Sequence, residues 1–187
     1  MILDVSRHFF TKEEVLKLID ELAQYKINTF HMHLVDDQGW RIEIKKYPKL
    51  TEFGAWRDLT LIGHIRDKTK KFNIEKTGGF YTQEQIKEVV KYVQDRHITI
   101  VPEIEMPGHA QAAIAAYPEY GNTGISPGAR SMWGISHDIF NPEEKTIDFL
   151  KDILDEVVLL FPGEYIHIGG DEAKKTHGGQ GKALSNR

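Results

Sequence analysis

The sequence predicts an α/β fold, a parallel sheet built from β/α units, on three observations. Four apolar stretches of strand length each stop at a polar or charged cluster. Amphipathic helical stretches separate most of them, which is what parallel strands need for their crossovers. The 187 residues, 40% hydrophobic and 10% aromatic, are enough for one sizeable core in a single domain.

Met1 to Val5 is the first apolar run and gives way to Ser6-Arg7-His8. Thr11-Lys12-Glu13-Glu14 then offers an N-cap with an acid three residues on, and Val15, Leu16, Ile19, Leu22 and Ala23 follow at helical spacing on one face. Ile27 to Val35 reads as a buried strand running into Asp36-Asp37-Gln38-Gly39-Trp40. The interval from Tyr47 to Gly79 lacks a clean period and is predicted to be a loop excursion on the working face. Tyr81-Thr82-Gln83-Glu84-Gln85 caps a second helix through about Arg96, and His97 to Ile104 is a third strand ending in Glu105-Met106-Pro107-Gly108-His109. Asn141-Pro142-Glu143-Glu144 starts a helix reaching about Phe161, with proline at its first position. Tyr165 to Ile168 is a fourth strand ending in Gly169-Gly170-Asp171-Glu172. In parallel α/β sheets the chemistry sits beyond the strand C-termini. The tail from 174 to 187, with Gly178-Gly179-Gln180-Gly181, is expected to be frayed or disordered.

The formal charge of −4 and the scattered basic residues argue against nucleic-acid binding; Lys68-Thr69-Lys70-Lys71 fits a solvated loop. With no cysteine, disulfides, thiolate metal sites and cysteine nucleophiles are excluded. No stretch approaches the roughly 18 apolar residues of a membrane span. The N-terminus shows no basic n-region or cleavage site, so no signal peptide is expected within this chain; the parent protein could still be secreted or periplasmic, and the compartment stays open.

Asp171 and Glu172 follow two glycines at a strand end, where missing side chains let the chain bend and a ligand approach closely. An isolated Asp-Glu pair is ordinarily a solvated turn. Two-carboxylate glycosidases hold their acids roughly 5 to 10 Å apart across the scissile bond, a division for which neighbouring residues are badly placed. Adjacent acids suit another scheme, in which one protonates the departing oxygen and the other orients a nucleophile belonging to the substrate.

Leu3-Asp4-Val5-Ser6-Arg7-His8-Phe9, His31-Met32-His33-Leu34-Val35-Asp36-Asp37-Gln38-Gly39-Trp40, Pro102-Glu103-Ile104-Glu105-Met106-Pro107-Gly108-His109 and His167-Ile168-Gly169-Gly170-Asp171-Glu172 resemble, in order, successive motifs of family 20 glycoside hydrolases, the β-N-acetylhexosaminidases. That family is a known case of substrate assistance. The resemblance covers about Met1 to Ala173. It implies the first half, about four strands of eight, of a TIM-type β/α barrel, whose full form is about 250 residues. It further implies that Glu172 is general acid and then base, and that Asp171 holds and polarises the substrate's acetamido group. Arg7 would bind ring hydroxyls of the terminal sugar, and Asp36 with His109 would support the acid and touch ligand. The substrate would be an amino-sugar oligosaccharide or glycoconjugate with a terminal β-linked N-acetylglucosamine or N-acetylgalactosamine. No metal or organic cofactor is implied.

Two other functions stay open on the residues alone. His31 and His33 share a strand face and would suit a metal-dependent hydrolase of the amidohydrolase type. The motifs could also persist in a non-catalytic sugar-binding or structural fragment. Trp40, Trp56 and Trp133 could stack on sugars or sit in the core, and none is singled out. A half barrel leaves its first and fourth strands as open edges, from which a homo-oligomer and weak or absent activity of the isolated chain are expected.

Overall fold

The computed structural model describes residues 1–173; the expected frayed tail lies outside the described residues. Among the described residues nine short strands and five α-helices follow in chain order, with one 3-10 turn at Pro118–Tyr120. They are β1 (Ile2–Asp4), α1 (Lys12–Gln24), β2 (Thr29–His33), β3 (Val35–Asp36), β4 (Gly39–Trp40) and α2 (Lys49–Glu52). Next come β5 (Trp56–Arg57), β6 (Thr60–Ile62), β7 (Lys71–Asn73), β8 (Thr77–Gly78), α3 (Gln83–Gln94), β9 (Thr99–Glu103), α4 (Gln111–Ala116) and α5 (Glu144–Leu160).

The central sheet is parallel in the order β1-β2-β9, with α1 and α3 as the crossovers between its strands. Its register sets Asp4 beside His33 and His33 beside Glu103, so three polar side chains stand abreast at the strand C-termini. The predicted fourth strand is a single parallel bridge between Glu103 and His167, extended by Ile104 N–H to His167 O and Met106 N–H to Ile168 O at 2.9 and 3.1 Å. It stops there because Gly169 and Gly170 both turn to positive φ, which ends extended pairing. These strands and crossovers are the start of a β/α barrel.

Local chemistry accounts for the helix starts. Thr11 and Glu14 form a capping box on α1, as Thr82 and Gln85 do on α3, each cap contributing about 1 kcal/mol. The start of α5 differs from expectation: Pro142 lies outside the helix, which begins at Glu144. Asn141 Oδ1 accepts from Glu143 N–H and Thr146 Oγ, so the asparagine organises the turn ahead of the first helical residue. Val15, Ile19 and Leu22 of α1, Ile86, Val89 and Val93 of α3, and Phe149, Ile153 and Val157 of α5 are buried in one core with Phe30 and Met32 of β2. The interval 47–79 holds more order than its sequence suggests: β5 pairs with β8 and β6 with β7, both antiparallel.

Candidate active site

The site begins with the turn after β1. Asp4 Oδ1 accepts the backbone N–H groups of Ser6 and Arg7, both at 3.0 Å, which curls the chain over the sheet end. From below, buried Arg41 donates to the carbonyls of Val5, Ser6, Ala55 and Gly79. Burial, with Arg57 nearby, lowers Arg41 to about 10, yet four carbonyl partners keep its donors satisfied. Arg57 of β5 donates to the carbonyls of Arg7 and Gln38, so the long excursion braces the working face.

Arg7 bridges two carboxylates, Nη1 to Asp4 at 2.9 Å and Nη2 to Asp36 at 2.6 Å. Burial alone would weaken its charge, but Asp36 and Asp4 outweigh that and raise its pKa. Asp36 also faces His33 Nε2 at 3.1 Å and His109 Nδ1 at 3.2 Å. Burial opposes the Asp36 charge, while these two imidazoles and Arg7 overcome it and hold the carboxyl far below its usual range. His33 Nδ1 turns to Glu103 at 2.7 Å, and despite burial the two carboxylates lift His33 to about 9. His109 is lifted to about 11 by its bonds to Asp36 and Asp37. Its other nitrogen, Nε2, faces Glu172 at 3.4 Å and Asp171 at 3.9 Å. One imidazolium therefore links a buried carboxylate to an exposed acidic pair.

The acidic pair is set by backbone geometry. Gly169 has φ +64° and any Cβ there would collide with the Glu105 carboxylate, so glycine is needed on both counts. His109 and Glu172 themselves sit at φ near +50°, conformations that non-glycine residues keep only where the surroundings enforce them and that cluster at functional sites. Gly108 packs close to the backbone of Asp171 and Ala173. Glu105, buried between Glu103 and this pair, is raised to about 7 by burial and by the Glu103 charge. A cleft of about 220 Å³ opens between Arg7, Gln38, His109, Glu172 and the segment 133–135. A roomier hollow of 490 Å³, lined by residues such as Phe9, Trp56, Arg57 and Lys76, has no acidic side chain in its wall.

The model of the glycosyl hydrolase family 20 catalytic domain matches residues 1–186. This chain belongs to glycosyl hydrolase family 20. Among its relatives, the β-hexosaminidase of Porphyromonas gingivalis is 49% identical over 175 residues, 93% of this chain and 21% of that protein. The β-hexosaminidase of Vibrio furnissii is 47% identical across 92% of this chain and 28% of that protein. Among solved structures, the family 20 β-N-acetylhexosaminidase of Streptomyces coelicolor superposes with a TM-score of 0.81 at 40% identity, over 94% of this chain and 33% of that one. A Streptomyces plicatus β-hexosaminidase mutant in complex with its product GlcNAc gives 0.79 at 42% identity, over 92% and 32%. The chain thus spans about a fifth to a third of the length of these proteins. The fold they share with it is the family 20 β/α barrel, of which the described residues supply a part.

In this family 20 chain the five residues singled out from sequence, Arg7, Asp36, His109, Asp171 and Glu172, lie in one contiguous network. Asp36 is 2% exposed and does not line the cleft, so its charge reaches the cleft through His109 and Arg7. Glu103, Glu105, Asp37 and His167 stand in or beside the network without having been singled out; the legible signal was the alternation of polar residues, His31 with His33 on one strand and Glu103 with Glu105 at the end of another, which puts each pair on one face. Trp40 is core, its indole N–H donating to Ile42 O at 2.6 Å.

Ligand-type atoms of His31, Glu103 and His167 lie within 4.8 Å of one another and could hold a cation; those of His109, Asp171 and Glu172 lie as close, but His109, raised to about 11, is an imidazolium with no lone pair to offer. The His31/His33 pair expected of an amidohydrolase-type centre is not offered to a metal: both nitrogens of His33 face carboxylates and its raised pKa keeps it an imidazolium, which has no lone pair to donate.

This network makes stability depend on pH in a definite sense. His33 and His109, raised to about 9 and 11, contribute fully below the ordinary histidine value of 6.5 and lose that contribution as pH rises through their folded values. Asp36 and Glu103, both depressed, contribute fully above the ordinary values of 3.8 and 4.5 and lose it as pH falls. Glu105, raised to about 7, costs stability as pH climbs from 4.5 to 7. Melting temperature should therefore peak between about pH 4.5 and 6.5 and fall on both sides. A melting temperature that climbs from pH 6.5 to 9 would contradict the ion-paired network.

Proposed function

We propose that residues 1–173 form the N-terminal half of a β-N-acetylhexosaminidase barrel. Its reaction is retaining hydrolysis of terminal β-linked N-acetylglucosamine or N-acetylgalactosamine from an oligosaccharide or glycoconjugate. The observation that supports this best is His109, seated between buried Asp36 and the adjacent Asp171 and Glu172 at the end of a family 20 sheet. Glu172 protonates the glycosidic oxygen while the substrate's own acetamido oxygen attacks the anomeric carbon from the opposite face. Asp171 accepts the acetamido N–H and stabilises the cationic oxazolinium ring as it forms, a stabilisation larger in the transition state than in the ground state. Glu172, now a carboxylate, takes a proton from water, which opens the ring with net retention. Arg7 has donors left beyond those held by Asp4 and Asp36, and these meet the sugar hydroxyls. Asp36 fixes His109, whose Nε2 steadies Glu172. The test is a chromogenic assay on the purified chain: N-acetyl-β-glucosaminides should turn over while plain β-glucosides stay inert, and efficient cleavage of the glucoside would refute substrate assistance.

Taken alone, the 187-residue chain should associate and turn over slowly. Among the described residues β1 pairs on one side only, and Ile2, Tyr165 and Ile168 at the sheet edges are exposed. The outer face of α5 presents Val158 and Leu159 to solvent, the latter 85% exposed. Open strand edges beside apolar side chains favour self-pairing, here as a homo-oligomer. Light scattering across a concentration series should show mass growing with concentration; a stable monomer with ordinary hexosaminidase turnover would refute this part of the proposal.

A further inference from the structure

We infer that His31, Glu103 and His167 form a binding site for a divalent transition metal of the zinc type, apart from the acidic pair and independent of the hexosaminidase reading. The three residues come from neighbouring strands: β2 pairs with β9, and Glu103 at the end of β9 bridges in turn to His167. His31 Nε2 lies 2.8 Å from Glu103 Oε2, and His167 Nδ1 lies 2.8 Å from Glu103 Oε1. The carboxylate thus has an imidazole nitrogen at each oxygen, and the two rings stand 5.1 Å apart between centroids.

Neither nitrogen is spent on a hydrogen bond to that carboxylate. His31 Nε2 is shut off from solvent and, close as it is to Glu103, has no aligned hydrogen-bond partner among the described residues. His167 Nδ1 accepts the Gly169 N–H at 3.1 Å, so in that tautomer it turns a lone pair and no proton towards the carboxylate. Lone pairs facing one another at contact distance repel, and a cation among them turns the repulsion into coordination. Tetrahedral zinc with bonds of about 2.0 to 2.1 Å sets its ligand atoms about 3.3 Å apart. Two pairs here are at 2.8 Å and all lie within 4.8 Å, so small side-chain adjustments close the site. Glu103 Oε2 also accepts from His33 Nδ1 at 2.7 Å, which its second lone pair allows.

The ligand set selects the ion. Two imidazoles and one carboxylate suit Zn²⁺ and its neighbours Co²⁺ and Ni²⁺, whereas Mg²⁺ and Ca²⁺ want oxygen and find a single carboxylate. Half-exposed His167 gives the ion its way in to buried Glu103. Bound there, the ion would fasten β2 and β9 to the strand that leads through Gly169 and Gly170 to Asp171 and Glu172, a strand paired by one bridge and a few backbone hydrogen bonds.

The test uses the full chain without an affinity tag, at about pH 7.5, where free imidazole is neutral. Calorimetric titration should find one Zn²⁺ site per chain. Saturating Zn²⁺ should raise the melting temperature by several degrees, and Mg²⁺ at the same concentration should leave it unchanged. H31Q and H167Q should each weaken Zn²⁺ at least about tenfold, since even losing a group one step behind a metal ligand costs that much. E172Q, which alters the other histidine–carboxylate cluster, should bind Zn²⁺ as the parent chain does. Should H31Q and H167Q fail to fold, Co²⁺ added to the parent chain decides, and the strong visible bands of a four-coordinate site are expected. Zn²⁺ that binds H31Q and H167Q undiminished, or that is lost in E172Q, lies elsewhere and overturns the inference. Absent Zn²⁺ binding, equal stabilisation by Mg²⁺ or a weak six-coordinate Co²⁺ spectrum overturns it equally.

Discussion

Glu172→Gln should slow hydrolysis of substrates with sugar leaving groups by about 10²- to 10⁴-fold, the usual contribution of a general acid. Aryl substrates with acidic phenol leaving groups should lose far less in the first step, because they depart without protonation. Glu172 reaches its place through a left-handed backbone step after Gly169 and Gly170, and its carboxylate lies 3.4 Å from His109. Glutamine keeps that shape but can neither give up nor take a proton. Rates measured across leaving groups of graded acidity should show the dependence steepening in the variant. Equal losses for sugar and aryl leaving groups would remove Glu172 from the acid role.

Asp171→Asn should cost about 2 to 4 kcal/mol of transition-state stabilisation, comparable to losing one well-aimed electrostatic group. The carboxylate does two things in the proposed step: it orients the acetamido group and balances the charge that grows on the oxazolinium ring. Asparagine preserves the size and removes the charge. The loss should fall on kcat more than on KM, since the charge it balances exists only in the transition state and the intermediate. A variant with unchanged kcat and raised KM would make Asp171 a mere ground-state contact. His109 lies 3.9 Å from Asp171, so the substitution alters both acids' neighbour, and the two variants combined should be less than additive.

Much of the fold was legible because its signals are local. Thr11 with Glu14 and Thr82 with Gln85 announce helix starts within four residues, and the buried faces of α1 and α3 follow helical spacing. The start of α5 was misread because proline suits the first helical turn in general, whereas here Asn141 binds the Glu143 N–H and Thr146 and moves the first turn two residues on. The four small strands within 47–79 carry no repeating pattern, since each is two or three residues long and is held by a partner across the excursion. Within the candidate site, the motifs pointed to Arg7, Asp36, His109, Asp171 and Glu172, which the fold brings together. They could not show that His33 joins Asp36 to Glu103, a pairing set by register between strands 70 residues apart. Nor could they distinguish Trp40, sealed by its hairpin, from Trp133, held open beside the acid.

The central claim is that the substrate's own acetamido oxygen is the nucleophile, with Asp171 and Glu172 serving it. The most direct measurement is the turnover of aryl glucosaminides in which the N-acetyl group carries zero, one, two or three fluorines. Each fluorine withdraws electrons from the carbonyl oxygen and leaves the sugar and the leaving group unaltered. Turnover should fall steeply along the series, by orders of magnitude from acetyl to trifluoroacetyl; a flat series would contradict the claim.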